Sequence, residues 1–125
     1  MQFFIQKTLN TPLVKFEDGV LVISGRSIPE NAISFFEPIF KFIAEYTKNP
    51  FPLTEVNVLL EYANSSTNRS LMTVFTLLEK IYENGCNINI NWYYENGDEL
   101  MYELGNDFKS ILHLPFLIHE REVIN

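Results

Sequence analysis

The chain is short of the residues that most often carry chemistry. It holds one cysteine, Cys86, and two histidines, His113 and His119, among 125 residues. A single cysteine closes no internal disulfide, which points to a reducing compartment. The histidines stand six apart across Pro115, and no His-x3-His or Cys-x2-Cys pair exists. The spacings of a metal site are therefore missing, and no metal or other cofactor is expected. Five glycines are scattered at 19, 25, 85, 97 and 105, and they build neither a P-loop nor a dinucleotide fingerprint. Basic residues are scarce too: nine Lys and Arg face sixteen Asp and Glu, for a net charge of −7. Nucleic acid and anionic membrane both need a positive surface, so neither is expected as a partner. An acidic surface better suits a basic patch on another protein. No apolar run approaches the roughly 18 residues of a membrane span. Met1-Gln2-Phe3 lacks a basic n-region before an apolar core. A cytoplasmic protein is the expectation.

What the chain has is core. Hydrophobic residues make up 46% of it and eleven are Phe, enough to fill one sizeable domain over residues 1–125. Phe3-Phe4-Ile5 and Leu13-Val14-Lys15-Phe16 read as short strands split by Asn10-Thr11-Pro12. Asp-Gly in Glu17-Asp18-Gly19 predicts a tight turn into a returning strand, Val20 to Ser24. Ser27-Ile28-Pro29-Glu30 fits a capping box, with Ser27 as N-cap and Glu30 reaching back. The helix after it carries Ile33, Phe36, Phe40 and Ile43, and beside them Phe35, Ile39, Phe42 and Tyr46. That apolar surface is unusually wide, and Pro38 inside it predicts a kink. Asn49-Pro50-Phe51-Pro52 stops the helix.

Val56 to Leu60 reads as a central strand. Leu71, Phe75, Leu78 and Tyr82 recur at helical spacing, and Gly85 suits the position just past that helix. Ile88 to Tyr94 alternates before turning aromatic, which places Trp92 and Tyr94 on one face and Tyr93 on the other. Glu95 to Glu99 reads as a turn and cap, Glu99 to Leu112 as a third helix, and Phe116-Leu117-Ile118 as a last strand. The order βββαβαβαβ predicts an α/β fold with parallel crossover units, mixed by its N-terminal hairpin.

The segment Tyr62-Ala63-Asn64-Ser65-Ser66-Thr67 falls where the central strand ends and the second helix begins. Ligands and partners of open α/β sheets meet the carboxyl ends of strands, and a helix N-terminus suits a phosphate. One reading is a hydroxyl displayed for modification. The other is plain capping, since Asn, Ser and Thr all accept a bond from the N2 or N3 amide. A nucleophilic serine enzyme would need a base within reach of Ser65. Gly-x-Ser-x-Gly is absent, with Ala63 and Thr67 where the glycines would stand. Cys86 follows a helix end, where the dipole disfavours a thiolate. His119 reads as an exposed strand-end residue. Trp92-Tyr93-Tyr94 offers either a partner-binding patch or core.

Four stretches carry a resemblance. They are Ser27-Ile28-Pro29-Glu30-Asn31 leading into Phe35-Phe36, Leu59 to Ser66, Asn91-Trp92-Tyr93-Tyr94-Glu95, and Leu114-Pro115-Phe116. In this order and spacing the chain resembles the SiaC family of bacterial regulatory phosphoproteins, small domains related in fold to STAS domains and anti-sigma-factor antagonists. The resemblance implies a single STAS-like α/β domain over 1–125, with a mixed, mostly parallel sheet and about three helices. It implies a non-enzymatic switch phosphorylated by an anti-sigma-type Ser/Thr kinase and reset by a metal-dependent PP2C-type phosphatase. Its dephospho form would bind and activate a diguanylate cyclase, raising cyclic di-GMP and favouring biofilm or aggregation. The family's phosphoacceptor is a Thr directly after the Asn. Here that position is Ser65, with Ser66 as runner-up and Tyr62, Asn64, Ser66 and Thr67 as its motif. Ala63 departs from a larger apolar residue in the pattern. The rival classes are a small serine-nucleophile enzyme and an interaction module using the wide aromatic face of the first helix.

Overall fold

The computed structural model describes Met1 to Ile124. Six strands and three helices follow in the expected order: β1 (Phe3–Ile5), β2 (Leu13–Glu17), β3 (Val20–Ser27), α1 (Ala32–Tyr46), β4 (Leu53–Ala63), α2 (Ser65–Glu83), β5 (Asn87–Glu95), α3 (Glu99–Ile111) and β6 (Phe116–Arg121). They form one sheet in the order β1-β2-β3-β4-β5-β6. The first two pairings are antiparallel and the last three parallel. The β2–β3 turn is made by Asp18 and Gly19, both at positive φ (52° and 81°), as a tight Asp-Gly hairpin requires.

Strand order and chain order coincide, so each crossover steps to the next strand. Right-handed crossovers then put all three helices on one face. Burial follows this layering. Val14, Phe16, Leu21, Ile23, Val56, Val58, Leu60, Ile88, Ile90 and Trp92 face the helices and are buried. Their neighbours Lys15, Val22, Glu55, Asn57, Leu59 and Tyr93 lie on the other face and remain partly or fully exposed.

On the helical side, α1 lays Phe36, Ile39, Ile43 and Tyr46 into the core. Phe42 packs on Phe3 and Phe16, with ring centroids 5.0 and 5.1 Å apart. The aromatic face of α1 is thus spent on the sheet, and of its large apolar residues Ile33 is the exposed one. The helix continues through Pro38 in a single span. Trp92 is fully buried against Phe108 and Phe116, and its indole N–H donates to the Met101 carbonyl at 2.9 Å. Tyr94 shares that side, packing on Tyr102, while Tyr93 faces the opposite side and stacks on His119. Trp92 is therefore core.

Two boundaries differ from the sequence reading because distant partners decide them. Ser27 does not cap α1. It ends β3, buried, and the N-cap is Asn31, whose Oδ1 accepts from the Ser34 amide at 3.1 Å. The strands flanking the hydroxyl segment are also longer than their apolar cores, with β3 reaching Ser27 and β4 reaching Ala63. Parallel pairing of Arg26 with Tyr62 and Ser27 with Ala63 carries both ends into polar sequence. The end of α2 matches expectation. Gly85 at φ 97° follows the Asn84 cap, and the amides of Gly85 and Cys86 bond back to the carbonyls of Tyr82 and Ile81, a Schellman closure.

Candidate functional site

The polar segment at the carboxyl end of β4 sorts its four neighbours into four roles. Asn64 is the N-cap of α2, in extended conformation, and its Oδ1 accepts from the Thr67 amide at 2.9 Å. Capping therefore falls to Asn64, and not to Ser66 or Thr67. An amide oxygen held at the end of a strand reaches N3 without bending the first turn. Ser66, half-buried, donates its hydroxyl to the same Asn64 oxygen at 3.0 Å.

Thr67 is fully buried. Its hydroxyl donates to the Ser27 carbonyl at 3.1 Å, so in the 2.8 Å contact between the two hydroxyls Ser27 is the donor. This hydroxyl pair joins the end of β3 to the start of α2. The Asn64 amide bonds the same Ser27 carbonyl at 3.1 Å, which fixes the strand-to-helix turn.

Ser65 is the one left over. It is the first residue of α2, exposed, and its hydroxyl makes no hydrogen bond among the described residues. Its neighbours supply the cap, the side-chain bond to the cap and the tie to β3. The arrangement holds one hydroxyl outward on a rigid helix start.

Two hollows flank this turn of α2. One, of about 390 Å³, lies towards α1 and includes Ser66, Arg69, Ser70 and Thr73 from α2 and Glu30 and Asn31 from the start of α1. The other, of about 350 Å³, lies towards α3 and is acidic, with Glu61, Asp98, Glu103 and Asp107 around Ala63 and Met101. Tyr62 and Leu100 stand exposed at its edge, at 49% and 77%, an apolar surface of the kind interfaces use.

Neither histidine stands ready as a base for Ser65. The backbone amide of His113 bonds the Glu79 carboxylate. Glu79 lies fourteen residues along α2 from Ser65, roughly 20 Å at 1.5 Å per residue. His119 lies on the helix-free face, half-buried and not at an exposed strand end. Its Nε2 is 3.0 Å from Asn91 Oδ1, and Asn91 donates to Asn57 at 3.0 Å. The Asn91 oxygen accepts, so Nε2 carries the proton. Arg121 lies 4.3 Å over the Tyr93 ring beside it. The hydrogen-bonded nucleophile–base pair that a serine enzyme needs is thus not formed here. Among the described residues no group of three His, Cys, Asp or Glu is placed to hold a metal ion. No helix among them is long and apolar enough to cross a membrane. Partial burial, and then the hydrogen bond to Glu120, push the Tyr94 phenol above the usual tyrosine range.

Fold and site together define a small α/β domain, covered by helices on one face, that holds a serine hydroxyl outward beside a partly apolar surface. A family model for the SiaC family regulatory phosphoproteins matches residues 5–121, and the chain belongs to that family. Among solved structures, it is similar to SiaC in the complex of the diguanylate cyclase SiaD with its activator SiaC from Pseudomonas aeruginosa. The identity there is 26% and the TM-score 0.89, over 95% of this chain and 99% of that one. Apo-SiaC from the same organism gives 25% identity and a TM-score of 0.87, over 95% and 98% of the two chains. An uncharacterised protein of P. aeruginosa strain UCBPP-PA14 is 26% identical, over 94% of this chain and 95% of its own length.

Proposed function

We propose that this chain is a non-enzymatic, phosphorylation-switched regulator in a bacterial partner-switching pathway, acting in the cytoplasm. An anti-sigma-type Ser/Thr kinase phosphorylates Ser65, and a PP2C-type phosphatase removes the phosphate. The dephospho form binds and activates a diguanylate cyclase. The observation that carries this reading is the free, outward Ser65 hydroxyl on a fold that matches a cyclase activator end to end. Ser66 ranks second, because its hydroxyl is half-buried and already bonded to the cap. Thr67 would have to break its buried pair with Ser27 to react.

The test is reconstitution with kinase and cyclase from the chain's own host. Phosphopeptide mapping is expected to place the phosphate on Ser65 and to find none on Ser65→Ala. The unphosphorylated protein is expected to raise cyclic di-GMP synthesis. Phosphate confined to Ser66, Thr67 or Ser70 would move the site, and a cyclase indifferent to the protein would sink the reading.

A further inference from the structure

Arg69 lies one turn beyond Ser65 on α2, exposed. Residues four apart on a helix are neighbours on one face, with Cβ atoms about 5–6 Å apart. Among the described residues the ion pairs belong to Lys15, Lys41 and Lys48, and Arg69 makes neither an ion pair nor a side-chain hydrogen bond. Like those of Arg26 and Arg121, which also make no ion pair among the described residues, its guanidinium is free to meet an anion. The first turn of α2 carries no acidic residue that would claim it. Glu30 is the one carboxylate lining the hollow that Arg69 enters, and the two do not pair.

The two hollows also differ in charge. The one towards α3 has four carboxylates and no cation, and the one towards α1 has Arg69 and Glu30 with the hydroxyls of Ser66, Ser70 and Thr73. A dianion at Ser65 is repelled from the first and drawn to Arg69 in the second. Arginine suits a phosphate better than lysine does, because its planar fork takes two oxygens at once.

We infer that Arg69 is the phosphate-binding residue of the switch: once Ser65 is phosphorylated, the Arg69 guanidinium turns back along α2 and holds two phosphate oxygens on the α1 side. The inference rests on Ser65 as the phosphoacceptor. The phosphate is then anchored to the domain and does not swing free, and the modified start of α2 presents one fixed, charged surface to a partner. Arg26, exposed at the end of β3, is the competing cation, but it shares its own hollow with Lys7 and Glu61.

The experiment installs phosphoserine at position 65 during translation, so it needs no kinase, and follows the phosphate by phosphorus NMR from pH 4 to 9. A phosphoserine ordinarily loses its second proton near pH 6. Pairing with Arg69 is expected to lower that value. Arg69→Gln should raise it again by roughly 0.5 or more on the pH scale, since a nearby opposite charge favours the dianion. Arg69→Lys should recover part of the difference, and Arg26→Gln should leave the value unchanged. The α2 amides are the same in every variant, so the difference reads the arginine alone. All four proteins are compared by circular dichroism to establish equal folding. Equal titrations in the parent and Arg69→Gln, or a larger change in Arg26→Gln, would overturn the assignment. Phosphopeptide mapping with the kinase separately decides whether Ser65 is the acceptor, so the two failures are distinguishable.

Discussion

At the scale of single residues, Asn64, Ser65, Ser66 and Thr67 are alike in sequence and unlike in the fold. Each could cap a helix, so sequence alone leaves capping and display both open. The partner that separates them, Ser27, lies forty residues away and is fixed only when β3 and β4 pair. Stability measurements should follow the structure. Ser65→Ala should stay within about 0.5 kcal/mol of the parent, as for an exposed residue without a partner. Asn64→Ala should cost about 1 kcal/mol through the lost cap. Thr67→Ala should cost about 1–3 kcal/mol, because it leaves the buried Ser27 hydroxyl without an acceptor. Urea melts of the three variants give this order directly. A loss greatest in Ser65→Ala would make that residue the cap and remove the case for display. Arg69 is not legible in the sequence as a candidate phosphate ligand, since one arginine in a helix reads as solvated surface until Ser65 is seen exposed one turn before it.

At the scale of elements, hydrophobic periodicity carried most of the information. The strand and helix order, the Asp18-Gly19 turn and the Gly85 closure all follow from local pattern and turn chemistry. What periodicity missed were the ends. The periodic run starts only at Leu71, so the start of α2 is read from the hydroxyl segment before it, and nothing in that polar stretch shows that Thr67 and Ser70 are buried. A capping box can be read wherever Ser precedes Glu by three, which puts the N-cap of α1 at Ser27, four residues early. Gly105 is a third case, where a glycine inside α3 is meaningless without its neighbour. A Cβ at that position would fall 2.5 Å from Trp92 Cδ1 and 2.7 Å from its Nε1. The indole is fully buried and tied to Met101 within the same helix, so it has nowhere to move. Gly105→Ala should therefore destabilise by about 1–3 kcal/mol through overpacking. Set against the roughly 1 kcal/mol by which alanine is the better helix former, a net loss of up to about 2 kcal/mol is expected. Thermal unfolding should show a melting point lower by several degrees. A higher melting point would mean that α3 can shift away from β5 without loss.

At the scale of the whole molecule, one face of the sheet is packed by helices and the Ser65 turn stands at the strand ends, beside exposed Tyr62 and Leu100. Strand order was not legible in the sequence, and the one-sided layering follows only from it. Added phosphate brings roughly −1.5 to −2 charges to a chain already at −7. Two mechanisms could then release a partner. Repulsion across the solvent falls with salt, as the screening length shrinks from about 10 Å at 0.1 M to about 3 Å at 1 M. Desolvation of a dianion trapped in an apolar contact does not. The partly apolar surroundings of Ser65, and the anchoring proposed for its phosphate on Arg69, favour desolvation. The phosphorylated protein is therefore expected to bind the cyclase at least about tenfold more weakly than Ser65→Ala, a difference of about 1.4 kcal/mol. That ratio should persist between 0.1 and 1 M sodium chloride. Calorimetric titration at both salt concentrations measures it. A ratio that collapses towards one in high salt would assign the switch to long-range repulsion, and tighter binding by the phosphorylated protein would reverse its sign.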